Sequence, residues 1–73
     1  MKTLDMLHKG DRAKVKKIYA HGPLKRRMMD MGFVRDQEVS ITRLAPLGDP
    51  MQISIRGYEL SIRKEDAKWI EVE

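Results

Sequence analysis

A small, mainly β fold with one short helix is what this sequence predicts, and three observations predict it. Between Met51 and Ile62 two runs alternate apolar and polar residues, Met51, Ile53 and Ile55 in the first and Leu60 and Ile62 in the second. That is the period of a half-buried strand. Gly57-Tyr58 lies between the runs, and a glycine at the first centre of a two-residue loop suits a type II′ hairpin turn. Ahead of the hairpin stands a stiff loop, Ala45-Pro46-Leu47-Gly48-Asp49-Pro50. Any specific chemistry is therefore expected in a loop on a small β scaffold.

The elements follow in chain order. Thr3 suits the cap of a short helical turn with Leu4 and Leu7 on its inner side, ending at Gly10. Asp11 to Tyr19 reads as a strand with Ala13 and Val15 on one face. Ile18 breaks that phase, and a bulge near Lys16-Lys17 restores it and bends the strand. His21-Gly22-Pro23 leads into a helix, proline being tolerated in the first turn. Leu24, Met28 and Met31 form its apolar stripe, Lys25, Arg26 and Asp30 fall elsewhere, and Met29 lies off the stripe. Gly32 is placed for a left-handed C-terminal cap, with Phe33 folding back on the last turn. Arg35-Asp36 is a turn. Glu38 to Leu44 is a strand with Val39 and Ile41 inward, Arg63 to Lys68 one turn of helix, and Trp69 to Val72 a last strand with Ile70 and Val72 inward. Five short strands this close together favour closure, which removes sheet edges. The prediction is a small five-stranded SH3-like barrel with a short helical insertion after the first strand.

Composition narrows the function. The chain's 73 residues suit one domain with a thin core and leave little room for an enclosed active site. Cysteine is absent, which removes disulfides and thiolate chemistry and suits a cytosolic protein. Met1-Lys2-Thr3-Leu4-Asp5 carries no secretory apolar segment, and no apolar run approaches the length of a bilayer span. Work at a membrane would then need a partner protein. Lys plus Arg is 15 against 11 Asp plus Glu, a net charge of +4. The clusters Lys14-Val15-Lys16-Lys17 and Lys25-Arg26-Arg27 suit phosphates or an acidic protein face, set against the plainer reading of solvated surface.

Sites for chemistry are scarce. The two histidines, His8 and His21, are thirteen residues apart with no cysteine to join them, so no metal site is expected. Asp49, Glu59, Glu65 and Asp66 suit at most weak cation binding, and Glu65-Asp66 is better read as the start of a helical turn. Ser40, Ser54 and Ser61 fall on outward strand positions without a base, and Gly48 stands alone rather than in a phosphate loop. No enzyme activity and no cofactor are expected. Among the six methionines, Met28 and Met31 read as core filler and Met29 as either core edge or adaptable contact surface. Of the aromatics Tyr19, Phe33, Tyr58 and Trp69, Phe33 and Trp69 read as structural and Tyr58 as exposed at a hairpin tip, too few platforms for single-stranded nucleic acid. The proline loop is the best recognition candidate, with Leu47 outward. The alternative is a structural corner in which Asp49 caps a backbone amide.

The pattern Leu24, Arg27, Met28, Met31-Gly32, Val39, Arg43, Ala45-Pro46-Leu47-Gly48-Asp49-Pro50, Ile53, Gly57, Leu60, Arg63, Ala67 and Ile70 resembles the FeoA family across almost the whole chain, from about Leu4 to Val72. The Ala-Pro-Leu-Gly-Asp-Pro segment is its most specific part. One departure is Arg35-Asp36, where family members often carry Pro-Gly, so that Asp36 must take the glycine's backbone angle. The resemblance implies an SH3-like barrel and a small cytosolic protein of bacterial ferrous iron uptake. It also implies a non-enzymatic accessory or regulator that acts through FeoB, a membrane permease for Fe(II) with a cytosolic GTP-binding domain, and that is brought to the inner face of the membrane by that partner. The same fold resembles the C-terminal domain of iron- and manganese-dependent repressors, where DNA-binding helices precede it; here none do, which argues against a repressor.

Seven residues are the candidates for partner contact: Lys25, Arg26 and Met29 on the helix, Pro46, Leu47 and Asp49 in the loop, and Tyr58 at the hairpin. Two other functional classes stand beside this one, a basic barrel that binds nucleic acid and a weak transition-metal-binding protein. Nucleic acid is not the expected partner, and weak self-association stays open.

Overall fold

The computed structural model describes residues 1–73. Five strands and two helices follow a 3-10 turn at Leu4–Met6: β1 (Arg12–Ile18), α1 (Gly22–Asp30), β2 (Glu38–Leu44), β3 (Met51–Ile55), β4 (Tyr58–Ile62), α2 (Lys64–Ala67) and β5 (Ile70–Val72). The strands form one antiparallel sheet in the order β4-β3-β2-β1-β5. The mainly β class, the five strands and the helix after the first strand stand as the sequence predicts.

β1 makes the sheet curl. Arg12 to Lys14 pair with β2, whereas Val15 to Ile18 pair with β5 on the other edge. The register shifts between Val15 and Lys17, the bulge that the phase break at Ile18 called for. It leaves Lys16 and Lys17 both exposed and returns Ile18 toward the core. The loop after α1 takes over the edge that β2 gives up. The Val15 amide donates to the Gln37 carbonyl at 2.9 Å and the Asp36 amide to the Val15 carbonyl at 2.8 Å. Asp36 reaches that position with φ +69°, the left-handed region aspartate tolerates better than most residues.

The ring is not closed by backbone bonds, a difference from the closure expected of the barrel. No ladder joins β4 to β5. β4 runs into α2 before the chain reaches β5, so α2 spans the gap with Ala67 fully buried. The outer edge of the three-residue β5 is covered by the N-terminal segment: Thr3 bridges Glu71, and the Val72 amide donates to the Lys2 carbonyl at 2.9 Å. An edge so covered presents no free template for pairing.

Sixteen buried apolar residues form one core, with Phe33, Leu4, Met28, Met51 and Ile53 wholly enclosed. α1 contributes Met28, while Leu24 and Met31 pack at its margin. The helix ends in a Schellman motif. The Phe33 amide donates to the Met28 carbonyl and the Gly32 amide to the Met29 carbonyl, both at 3.0 Å, and the Phe33 ring is fully buried behind them.

The hairpin corrects the expected turn. The two loop residues are Arg56 and Gly57, both with positive φ (+53° and +83°), which defines type I′ rather than type II′. The register explains it. Ile55 pairs with Tyr58, Ile53 with Leu60 and Met51 with Ile62, so keeping all six on one face puts Tyr58 in the strand and forces Arg56 into the turn.

Gly32 sits at φ +109°, and a Cβ there would fall 3.2 Å from both the Arg56 Cδ and the Ile55 Cδ1. Gly32→Ala is expected to cost about 1–2 kcal/mol. Urea unfolding should show a lower midpoint at unchanged slope.

Candidate functional site

The seven sequence candidates fall on three surfaces. Lys25, Arg26 and Met29 share the outer face of α1, with Met29 47% exposed. No carboxylate lies within 4.0 Å of either cation, since the only ion pairs are His8–Asp11, Lys16–Glu71 and Arg63–Glu65. Lys25 sits before the middle of the helix and Arg26 at it, so the helix dipole does not reward positive charge there. Their placement is not explained by the stability of α1.

Two depressions meet at this face. One is lined by Gly22, Lys25, Arg26, Met29 and Asp30. The other is a groove of about 200 Å³ between α1 and β1. Its apolar lining is Val15, Ile18, Met29, Val34 and the buried Phe33, and its charged lining is Lys16, Lys17, Lys25 and Arg35. Lys25 and Met29 line both. The sequence pointed to Lys25, Arg26 and Met29. It missed Lys16, Lys17 and Arg35 as neighbours of that helix, although the Lys14-Val15-Lys16-Lys17 cluster was visible in the chain.

The proline loop is a second surface. Leu47 projects into solvent with 96% of its area exposed. The Gly48 amide donates to the Ala45 carbonyl at 2.6 Å and the Ala45 amide to the Pro50 carbonyl at 3.1 Å, so the loop is internally braced. Pro46 is exposed beside Leu47. Asp49 is engaged: its Oδ1 accepts the Lys64 amide at 2.9 Å. It therefore caps the first residue of α2 from fifteen positions upstream, the structural-corner alternative that the sequence left open. The Asp49-Pro50 peptide is cis.

Tyr58 is a third case. It is 46% exposed, but its hydroxyl donates to the Met31 carbonyl at 2.6 Å. Met31 is the C-cap of α1, so Tyr58 satisfies an orphan carbonyl at the helix end and ties β4 to α1. It belongs to the strand rather than to a hairpin tip.

Trp69, read as structural, is 41% exposed, on the outward side that Ile70 facing inward assigns to it. The Tyr19 amide donates to the Trp69 carbonyl at 2.7 Å, and ammonium groups lie over both rings, Lys17 at 5.0 Å from Tyr19 and Lys68 at 5.5 Å from Trp69. Strand alternation is the reason. Ile18 and Ile70 pair facing inward, so their neighbours face out. Glu71 sits within this patch, accepting the Tyr19 hydroxyl at 2.8 Å and pairing with Lys16 at 3.6 Å. A carboxylate there opposes a phosphate backbone.

Of the four carboxylates considered for cation binding, Asp49, Glu59 and Glu65 are engaged by other groups. Glu59 accepts from Thr42 Oγ1 at 2.7 Å and Gln52 Nε2 at 3.1 Å, and Glu65 pairs with Arg63. No three His, Asp or Glu side chains converge as a metal cluster.

The fold and surface define a small β module with one internally braced proline loop and one basic helix face beside an apolar groove. The comparisons give it a family. The FeoA domain model matches residues 2–73, and the chain belongs to the FeoA family. A relative from Porphyromonas gingivalis, an Fe(2+) transport protein A/Fe(2+) transporter FeoB fusion protein, is 40% identical over 70 residues; the match covers 96% of this chain but only 8% of the fusion. The solution structure of FeoA from Chlorobium tepidum is 39% identical, with a TM-score of 0.89 over 97% of this chain and 68% of that one. A FeoA from Stenotrophomonas maltophilia, solved with zinc and described as an SH3 domain protein, is 26% identical with a TM-score of 0.87, over 100% of this chain and 91% of that one. The fold is thus SH3-like, and the family is one of ferrous iron transport.

Two outcomes follow. Asp49→Ala is expected to lower stability by about 1 kcal/mol through loss of the cap, with Asp49→Asn losing less, as read by urea unfolding. The hydrogen bond to Glu71, then desolvation, then the Glu71 charge raise the Tyr19 pKa above its ordinary 10.0. The neutral phenol is the form the fold favours, so its contribution is full below pH 10 and is lost as pH rises through the folded-state value. In a Tyr58→Phe background, where Tyr19 is the remaining one of two tyrosines, ultraviolet titration of Glu71→Gln should move its midpoint down toward the ordinary value.

Proposed function

We propose that this chain is a non-enzymatic accessory of Fe(II) uptake that contacts the cytosolic part of a FeoB-like permease. The observation that carries the reading is the fusion relative, in which a homologous segment is one polypeptide with an Fe(2+) transporter. Covalent fusion keeps two modules at high effective concentration, an arrangement useful where they work in contact. The chain has no helix long and apolar enough to cross a membrane, and its action on the cytoplasmic side would then depend on recruitment by that partner.

The residues assigned to the contact are Lys25, Arg26 and Met29 on α1, with Pro46 and Leu47 as a separate second contact. Asp49 and Tyr58 serve it indirectly, by holding the start of α2 and the end of α1 respectively. Any regulation of the permease requires that the module bind its nucleotide states with different affinity, because equal affinity shifts nothing.

Titration calorimetry with the permease's isolated GTP-binding domain, run with a GTP analogue and with GDP at physiological salt, tests the proposal. The expected result is binding that is tighter in one nucleotide state. Absence of binding in both states would overturn the contact with that domain. Leu47→Ala is expected to weaken binding without changing stability, because the side chain has no packing to lose; unchanged affinity would remove the loop from the contact.

A further inference from the structure

Resting on that reading, the geometry points to the groove between α1 and β1 as the docking site, and to an acidic amphipathic segment of the partner protein as what it takes. Charge complementarity carries the assignment. Lys16, Lys17, Lys25 and Arg35 line the groove and no carboxylate does. Of these four cations only Lys16 is within 4.0 Å of a carboxylate, that of Glu71. Four of the chain's fifteen Lys and Arg residues thus line one concavity without an acid in its lining. Cations contributed by β1, by α1 and by the loop after it call for anions on both flanks of the occupant.

The floor adds the second requirement. Ile18, Met29 and Val34 offer apolar surface among the lining cations, and methionine adapts its shape to what packs on it. An occupant must then place apolar side chains along one stripe with carboxylates to either side. An amphipathic helix does this with anchors at i, i+3 or i+4 and acids on the flanks.

Other anionic partners match less of the surface. A phosphate backbone satisfies the cations but brings nothing apolar to the floor, and the one aromatic beneath it, Phe33, has no exposed ring for a base to stack on. An anionic bilayer is flat on this scale and cannot reach the bottom of a groove between a helix and a strand. The exposed pair Tyr19 and Trp69 lies outside the groove lining.

The bulge in β1 is what builds the wall. In a regular strand Lys16 and Lys17 would point to opposite faces. The register shift between Val15 and Lys17 leaves both exposed, on the same rim that Lys25 and Arg35 complete from α1 and its following loop.

The test uses the isotopically labelled full chain and two probes: a synthetic helical peptide of roughly 12 residues with leucines at i, i+4 spacing and Glu or Asp on both flanks, and the permease's GTP-binding domain. The peptide is expected to shift the amides of Lys16, Lys17, Lys25, Met29 and Arg35, with affinity falling as salt rises. A peptide with lysines in place of the acids should not bind. Lys25→Glu/Arg35→Glu is expected to weaken both probes about tenfold or more, with an unchanged circular dichroism spectrum and with Lys9→Glu as the surface control. Equal binding of the charge-reversed peptide, shifts centred on Leu47 or on Tyr19 and Trp69, or an oligonucleotide occupying the groove in preference to the peptide would each overturn the assignment. If the permease domain binds the double variant as well as the original chain, the groove assignment fails while the permease reading stands. If the peptide seats in the groove and the domain binds nowhere, the permease reading fails and the groove's chemistry stands. If neither probe moves the groove amides, the groove assignment is overturned.

Discussion

The bulge in β1 between Val15 and Lys17 is the constraint on which the rest of the structure depends. A chain of 73 residues has too little apolar surface to stabilise a flat sheet covered on one face only. It must wrap its strands round a single core, and β1 makes this possible by serving β2 with one edge and β5 with the other. Without the shift, Ile18 would point into solvent and a lysine into the core. The same irregularity that curls the sheet also frees the edge on which the loop after α1 docks, through the paired amide and carbonyl of Val15. That docking fixes the position of α1 against the strand.

The placement of α1 is over-determined. Gly32 ends it, Phe33 folds beneath it, and the Tyr58 hydroxyl takes the Met31 carbonyl from the far hairpin. Each of these joins a local backbone requirement to a contact distant in sequence. The result is a rigid helix that can present Lys25, Arg26 and Met29 at a fixed distance from Lys16 and Lys17. Rigidity suits a module that acts by contact, because little conformational entropy is lost when a partner docks. The proline loop follows the same logic: Asp49 holds α2 while Leu47 stays free, so one segment is at once a brace and a projecting apolar tip.

The chemistry of the surface accords with a family of ferrous iron transport whose member in Porphyromonas gingivalis is fused to a transporter. Asp49 and Glu59 spend their carboxylates on internal hydrogen bonds. What the surface does offer is unpaired positive charge around apolar side chains, the pattern of protein recognition.

By itself the sequence determined the strands, their inward faces, the helix and its glycine stop, the bulge and the left-handed Asp36. Each of these follows from periodicity or from a residue's own backbone preference, and such information is local. Lys25, Arg26, Met29 and Leu47 could be read as exposed for the same reason. The tertiary structure alone decided the rest. It made the turn type I′, because the register across β3 and β4 outranked the position of Gly57. It engaged Asp49 and Tyr58, whose partners Lys64 and Met31 lie far away along the chain. It also brought Lys16, Lys17 and Arg35 beside α1, a neighbourhood that exists only once the strand has bulged and the helix has folded back on it.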